Sequence, residues 1–267
     1  MERKNFAVLC AAVLCFWLFA LALGTAEGVG LRAVMHPEER AVSADVEEAA
    51  EGILLPTAAA APQLDLNCRA AILIEQGSGR VLYEKNADER VPIASITKVM
   101  TLLLAFEAVH DGRLTMETPV PVSEHAYHMG GSQIWLEPGE QMTLENLLYC
   151  MMVVSGNDAC NVIAEHIAGS VADFVRMMNQ RAYELGCLNT HFSNPHGLHD
   201  ESHYTTARDL SIITQAALKS ENFRQIVDTY EYQLPDDNMR QNIPKLKTTN
   251  MLIYRSLSNT LYYSRAH

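Results

Sequence analysis

The sequence predicts a single α+β domain that starts at about Leu64, and two features of the chain predict this class. Residues 70–75 and 80–84 are apolar, β-prone runs on either side of a Gly-containing turn, which is typical of a β-hairpin. Helical patterns then follow one another without the intervening strands that regular βαβ alternation requires, and no repeat period is present. We therefore expect an antiparallel sheet packed against a block of helices.

The first predicted helix, residues 95–109, differs from the others in its pattern. Its apolar residues cover nearly the whole circumference, which indicates a helix buried in the core. Apolar residues at helical spacing predict four more helices, at 144–154, 158–168, 171–185 and 207–218. A loop, residues 189–204, separates the last two of these.

The amino-terminal part of the chain has the pattern of an export signal. Arg3 and Lys4 precede an apolar run at 6–23 that small residues close, so we predict a signal peptide at 1–26. A retained membrane helix is the alternative, because about 18–20 apolar residues span a bilayer, and it would make the membrane a further partner. Residues 27–63 are rich in Ala, Glu and Pro, and we predict a linker or pro-segment there. Either way, residues 64–267 are expected outside the cytoplasm.

Charge and cysteine content exclude some classes of function. The net charge of −12 argues against nucleic acid as a partner, because phosphate contacts need clustered Lys and Arg. Cys68, Cys150, Cys160 and Cys187 follow the leader with a spacing that matches neither a disulfide-rich scaffold nor a zinc ribbon. We expect buried thiols.

Ser95 and Lys98 open the buried helix and form the first candidate catalytic pair. A spacing of three residues places the hydroxyl and the amine on one helical face. A serine needs a base to become a nucleophile, and burial lowers the pKa of a lysine so that a neutral amine is available as that base. The alternative is a serine cap followed by a solvated lysine. An ordinary cap would begin an amphipathic helix, whereas this helix is apolar all round.

Ser155 and Asn157 form the second candidate element, between two predicted helices. A hydroxyl and a carboxamide that face the nucleophile could relay a proton and hold a substrate amide. The alternative is a simple turn in which Asn157 or Asp158 caps the next helix.

These motifs occur together, in one order, with further matches along the chain from Leu64 onward. In chain order they include Ser95-Ile96-Thr97-Lys98, Gly131-Ser132, Leu147-Leu148-Tyr149, Ser155-Gly156-Asn157-Asp158-Ala159, Thr190-His191-Phe192, Asn194-Pro195-His196-Gly197-Leu198 and Thr206-Ala207 followed by Asp209-Leu210. The set closely resembles the low-molecular-mass penicillin-binding D,D-carboxypeptidases.

This resemblance implies the penicillin-recognising serine hydrolase fold, with residues 64–267 as its catalytic domain. Ser95 would attack the D-Ala-D-Ala carbonyl of peptidoglycan stem peptides with Lys98 as base, and β-lactams would acylate the same serine. Ser155 would pass a proton to the leaving D-alanine, and Asn157 would bind the peptide. The resemblance implies no cofactor and no metal, and it places the protein in the cell wall or at the outer face of the cytoplasmic membrane.

The third motif of that family, Lys-Thr-Gly on a strand that lines the cleft, is not found in the sequence. Its glycine lets substrate lie against the backbone, and this chain offers only Lys247-Thr248-Thr249. In relatives a Thr-Asn-x-Leu stretch, here at 249–252, precedes the true motif. We therefore expect that motif just beyond His267, and a catalytic domain that is incomplete at its carboxyl end.

Three other functions compete with this interpretation. A β-lactamase of class A would need a separate Glu for deacylation, and no Glu-x-x-Leu-Asn segment follows Ser155 at a suitable distance. A non-catalytic peptidoglycan-binding relative would keep the same cleft without turnover. A zinc peptidase is suggested by acidic and imidazole side chains in one loop: His191, His196, His199, Asp200, Glu201 and His203.

Overall fold

The computed structural model describes residues 64–127, 129–250 and 253. The predicted signal peptide and linker lie outside the described residues, as does the end of the chain at 254–267. No helix in the described part is both long and apolar enough to traverse a bilayer.

The strands of the described residues form three separate two-stranded antiparallel sheets rather than one larger sheet. The predicted hairpin is confirmed, with β1 (Ala71–Ile74) paired to β2 (Val81–Lys85). The other two pairs were not predicted: β3 (Pro119–Pro121) with β4 (Gln141–Thr143), and β5 (Glu231–Tyr232) with β6 (Leu246–Lys247). Strands of two or three residues are too short to show the alternation that would predict them.

Helices are the main regular elements of the described domain and occur together with the short antiparallel sheets, which confirms the α+β prediction. They are α1 (Lys98–His110), α2 (Leu144–Val153), α3 (Asn157–Ala168), α4 (Val171–Glu184), α5 (Ala207–Ala217) and α6 (Glu221–Val227). Four of them begin at a Ser or Thr whose side chain accepts a hydrogen bond from an amide of the first turn, and these caps are Thr143, Ser170, Thr206 and Ser220. Only α6, which has seven residues, was not predicted.

The buried position of α1 is confirmed, because it packs against α3, α5 and α6 and buries residues on every face. The prediction was wrong about where the α-helix begins. Ser95 lies in a separate 3₁₀ turn, Ala94–Thr97, and α1 starts only at Lys98. Ala94 has a φ of +46°, which cannot continue a right-handed helix, so the nucleophile candidate sits on a strained turn before the helix.

The four cysteines of the described part are free thiols. Cys150, Cys160 and Cys187 are buried as expected, whereas Cys68 is partly exposed. Burial raises the pKa of the Cys160 thiol to about 12, so this thiol stays neutral at physiological pH.

Candidate active site

Ser95 and Lys98 come together across the junction of the 3₁₀ turn and α1. Lys98 Nζ lies 3.3 Å from Ser95 Oγ. Ser95 is exposed, whereas Lys98 is only 2% exposed. The pair therefore combines a hydroxyl that a substrate can reach with an amine shielded from water.

Two more acceptors surround the Lys98 amine and suggest how it is oriented. Lys98 Nζ donates to Asn157 Oδ1 at 2.8 Å and to the carbonyl of His196 at 2.9 Å. A neutral amine has two N–H donors and one lone pair. In a neutral Lys98 whose two donors bond Asn157 and His196, the lone pair would face the Ser95 hydroxyl, which is the arrangement a general base needs.

Burial lowers the pKa of Lys98 from its ordinary value because the charged form loses hydration. The carboxylate of Asp158 opposes this shift by favouring the ammonium. Asp158 is itself engaged, since its side chain accepts from the backbone N–H groups of Ile134 and Leu136 at 3.1 Å. The neighbouring Cys160 thiol is neutral and brings no counter-charge, so desolvation is the dominant influence on Lys98.

Asn157 is the first residue of α3 and links Lys98 to a neighbouring loop. Its side-chain Nδ2 donates to the carbonyl of Gly130 at 2.9 Å, and its backbone N–H donates to the carbonyl of Ser132 at 2.7 Å. The cap residue of the helix is Gly156 rather than Asn157 or Asp158, although the Asp158 side chain accepts from the Ala159 N–H in the first turn at 3.0 Å. Asn157 instead turns its amide oxygen toward Lys98.

Ser155 lies between α2 and α3 with a φ of +62°, a strained conformation for a serine. Its Oγ is buried and has no hydrogen-bond partner among the described residues. In the described structure, the Ser155 hydroxyl therefore makes no hydrogen bond to Ser95 or Lys98.

The loop 189–204 completes the site, which the motifs alone did not show. Thr101 Oγ1 donates to the carbonyl of Pro195 at 2.6 Å, and the next residue, His196, accepts from Lys98. The following Gly197 lies directly on the Ala94–Ser95 peptide. A Cβ atom at Gly197 would overlap the Ala94 carbonyl and lie 2.9 Å from the Ser95 nitrogen.

Gly197→Ala is therefore expected to displace the nucleophile turn. The φ of +91° at Gly197 already disfavours alanine, at a cost of about 1–3 kcal/mol, and the overlap with the Ala94 carbonyl adds to it. Thermal unfolding and acylation of Ser95 by penicillin would both be measured. Gly186→Ala is the matched control, since Gly186 has a φ of +82° but open space around its Cβ position. Equal effects of the two substitutions would contradict the packing role of Gly197.

The loop histidines contact protein groups. His203 Nε2 lies 2.7 Å from Thr97 Oγ1, and His191 Nδ1 lies 2.7 Å from the carbonyl of Ser202. Within residues 64–127 and 129–250, no group of three or more His, Cys, Asp or Glu side chains is placed to hold a metal ion.

Burial of His196 and His203 makes the free energy of unfolding depend on pH in the acidic range. Desolvation lowers the pKa of each to about 4, whereas the unfolded value is near 6.5. Below about pH 6.5 the unfolded chain binds protons that the folded chain does not, so the free energy of unfolding falls as the pH drops from about 6.5 to about 4. In thermal unfolding over this range, His203→Gln is expected to flatten the dependence. His199→Gln, on an exposed residue of the same loop, serves as the control, and an equal slope in both variants would contradict the prediction.

Lys247-Thr248-Thr249 lies at β6 and the residues after it. Lys247 Nζ is 3.0 Å from a carboxylate oxygen of Glu231, and the Thr248 N–H donates to the carbonyl of Tyr230. These contacts join β6 to the β5 region of the chain. A true third motif beyond His267 stays a prediction.

A buried lysine amine 3.3 Å from the hydroxyl of an exposed serine three residues earlier, backed by an asparagine from a second helix, is the arrangement of serine hydrolases of the Ser-x-x-Lys class. The family model described as D-alanyl-D-alanine carboxypeptidase, peptidase S11, matches residues 56–261. The chain belongs to this family.

Relatives and solved structures agree with the family. The chain is 46% identical over 194 residues to D-alanyl-D-alanine carboxypeptidase DacF of Bacillus subtilis, covering 72% of this chain and 49% of that protein. It is 38% identical over 164 residues to DacA of Escherichia coli, covering 59% and 40%. Penicillin binding protein 5 from Haemophilus influenzae superposes with a TM-score of 0.67 at 30% identity, covering 73% of this chain and 56% of that one. The chain thus spans about half the length of the curated relatives it matches, and the penicillin-binding fold is confirmed.

Proposed function

We propose that the protein is a serine-type D-alanyl-D-alanine carboxypeptidase that removes the terminal D-alanine from peptidoglycan stem peptides. The observation that carries this proposal is the Lys98 amine, which is buried, bonded to Asn157 and the His196 carbonyl, and 3.3 Å from Ser95 Oγ. Family membership and the similarity to D-alanyl-D-alanine carboxypeptidases support the substrate class.

Acylation begins at Ser95. As Oγ attacks the carbonyl carbon between the two D-alanines, its proton moves to the Lys98 amine, and a C–O bond forms while the carbonyl oxygen becomes an oxyanion. We assign the stabilisation of that charge to backbone N–H groups at the turn before α1. Collapse of the tetrahedral intermediate breaks the C–N bond and leaves an ester on Ser95.

The leaving D-alanine needs a proton on its nitrogen, and we assign its delivery to Ser155, which takes back a proton from the Lys98 ammonium so that Lys98 is neutral again. A buried hydroxyl without a partner is costly in a folded protein, which favours a hydroxyl that bonds substrate. Asn157 holds the peptide through its carboxamide while it also anchors Lys98. Water then attacks the ester and gives a proton to Lys98. The acyl C–O bond to Ser95 breaks, Lys98 returns that proton to Ser95 Oγ, and the shortened peptide leaves as a carboxylate.

The same chemistry predicts the other partners and the location of the protein. A β-lactam carbonyl would acylate Ser95 by the same steps, with ring opening in place of amine release. Because the stem peptides lie outside the cytoplasm, the protein is proposed to be exported and to act in the cell wall or at the outer face of the cytoplasmic membrane.

Two assays of the full-length protein test this proposal. We expect covalent labelling by fluorescent penicillin, together with D-alanine release from a peptide that ends in D-Ala-D-Ala. Rapid penicillin hydrolysis without peptide cleavage would indicate a β-lactamase instead. Peptidoglycan binding with neither label nor D-alanine release would indicate a non-catalytic relative.

A further inference from the structure

His203, in the loop 189–204, contacts the turn that carries the nucleophile, and its hydrogen bonds have a definite direction. The backbone N–H of Ser193 donates to His203 Nδ1 at 3.1 Å, so Nδ1 carries no proton. In a neutral imidazole the proton is then on Nε2. His203 Nε2 lies 2.7 Å from Thr97 Oγ1 and therefore donates to it.

Thr97 in turn donates a hydrogen bond to the backbone next to Ser95. Its Oγ1 donates to the carbonyl oxygen of Ala94 at 2.8 Å, which requires that the same oxygen accept from His203. His203 and Thr97 are 3% and 1% exposed, so water does not compete for these bonds. A chain of hydrogen bonds, each with a defined donor and acceptor, thus runs from Ser193 through His203 and Thr97 to Ala94.

The last hydrogen bond of this series, from Thr97 to the Ala94 carbonyl, is important because that carbonyl and the Ser95 N–H belong to one planar peptide. Gly197 packs on the face of this plane, and Thr97 holds its oxygen. Because both the face of this peptide plane and the Ala94 carbonyl oxygen are held, the direction of the Ser95 N–H is fixed as well. Ala94 needs this support, since its φ of +46° is unfavourable for a residue with a Cβ.

We propose that His203 is a positioning residue that acts through Thr97 to hold the Ala94–Ser95 peptide in the orientation needed for acylation of Ser95. This rests on the proposed function, because it assigns His203 a role in the reaction of Ser95. His203 touches neither Ser95 nor Lys98 by hydrogen bond in the described structure, so its effect is transmitted entirely through the turn.

Acylation by fluorescent penicillin in the full-length protein, followed at several concentrations, separates the acylation rate constant from the affinity of the initial complex. We expect Thr97→Val and His203→Leu each to lower the rate constant about tenfold or more, the effect of one buried hydrogen bond, with little change in affinity. Thr97→Ser and His203→Gln keep a hydroxyl and a side-chain N–H donor, and we expect both to restore most of the rate. Thr214→Val is the matched control, because its hydroxyl bonds the Leu210 carbonyl within α5.

The double variant provides a further test. Because His203 acts only through Thr97, Thr97→Val with His203→Leu should lose no more rate than Thr97→Val alone. Additive losses would overturn the proposal, as would folded single variants that are acylated at the wild-type rate. A lower unfolding temperature with an unchanged acylation rate constant would reduce His203 to a structural residue.

A second measurement keeps this proposal distinct from the function it rests on. Nitrogen-15 spectra of the His203 ring should show the neutral tautomer protonated at Nε2, with a changed Nε2 signal in Thr97→Val. A proton on Nδ1 would overturn the proposal whatever the activity. A wild-type protein that takes no penicillin label, yet shows the Nε2 tautomer and its response to Thr97→Val, would contradict the proposed function and support the hydrogen-bond chain.

Discussion

Ser95→Ala is expected to abolish both penicillin acylation and D-alanine release in the full-length protein. The substitution removes the only hydroxyl within hydrogen-bond reach of the buried Lys98 amine in the described structure. Loss of a nucleophile in a serine hydrolase lowers kcat by about 10⁶. The measurements are covalent labelling by fluorescent penicillin and the rate of D-alanine release.

The folded state should survive this change. Ser95 is exposed and its Oγ takes part in one long hydrogen bond, so the unfolding temperature is expected to remain close to that of the wild type. Non-covalent binding of penicillin should persist as well. Covalent adducts in a folded Ser95→Ala protein would show that another residue is the nucleophile.

Lys98→Arg is expected to be nearly as damaging although it preserves a positive charge. A guanidinium stays protonated at any working pH, so it has no lone pair to accept the Ser95 proton. Loss of a general base costs about 10²–10⁴ in rate. The larger planar group must also fit a position that is 2% exposed and shaped for one nitrogen between Asn157 and His196.

The control for this variant is Lys219→Arg, the same replacement on an exposed residue after α5. Circular dichroism would establish that Lys98→Arg folds before acylation is measured. Near wild-type acylation by a folded Lys98→Arg protein would mean that Lys98 has a structural role and that the base lies elsewhere.

The sequence predicted the parts of the site that depend on local spacing. Ser95 and Lys98 are three residues apart beside a helix apolar on all sides, so burial of the amine could be anticipated from the pattern alone. The helices α1 to α5 and the β1–β2 hairpin were predicted for the same reason, since their periodicities are long enough to be recognised. The roles proposed for Ser155 and Asn157 came from their side-chain chemistry and the family resemblance rather than from spacing.

Only the tertiary structure decided how these parts meet. Lys98 bonds residues 59 and 98 positions away, and Thr97 bonds a histidine 106 positions away, separations that no local pattern encodes. The same contacts explain why Ser95 lies on a 3₁₀ turn rather than in the helix: Thr97 and Gly197 hold a strained Ala94 peptide that propensity alone would not produce. The sequence thus determined the order and spacing of the candidate catalytic residues, and long-range packing of the loop 189–204 determined the geometry in which Ser95 and Lys98 are held.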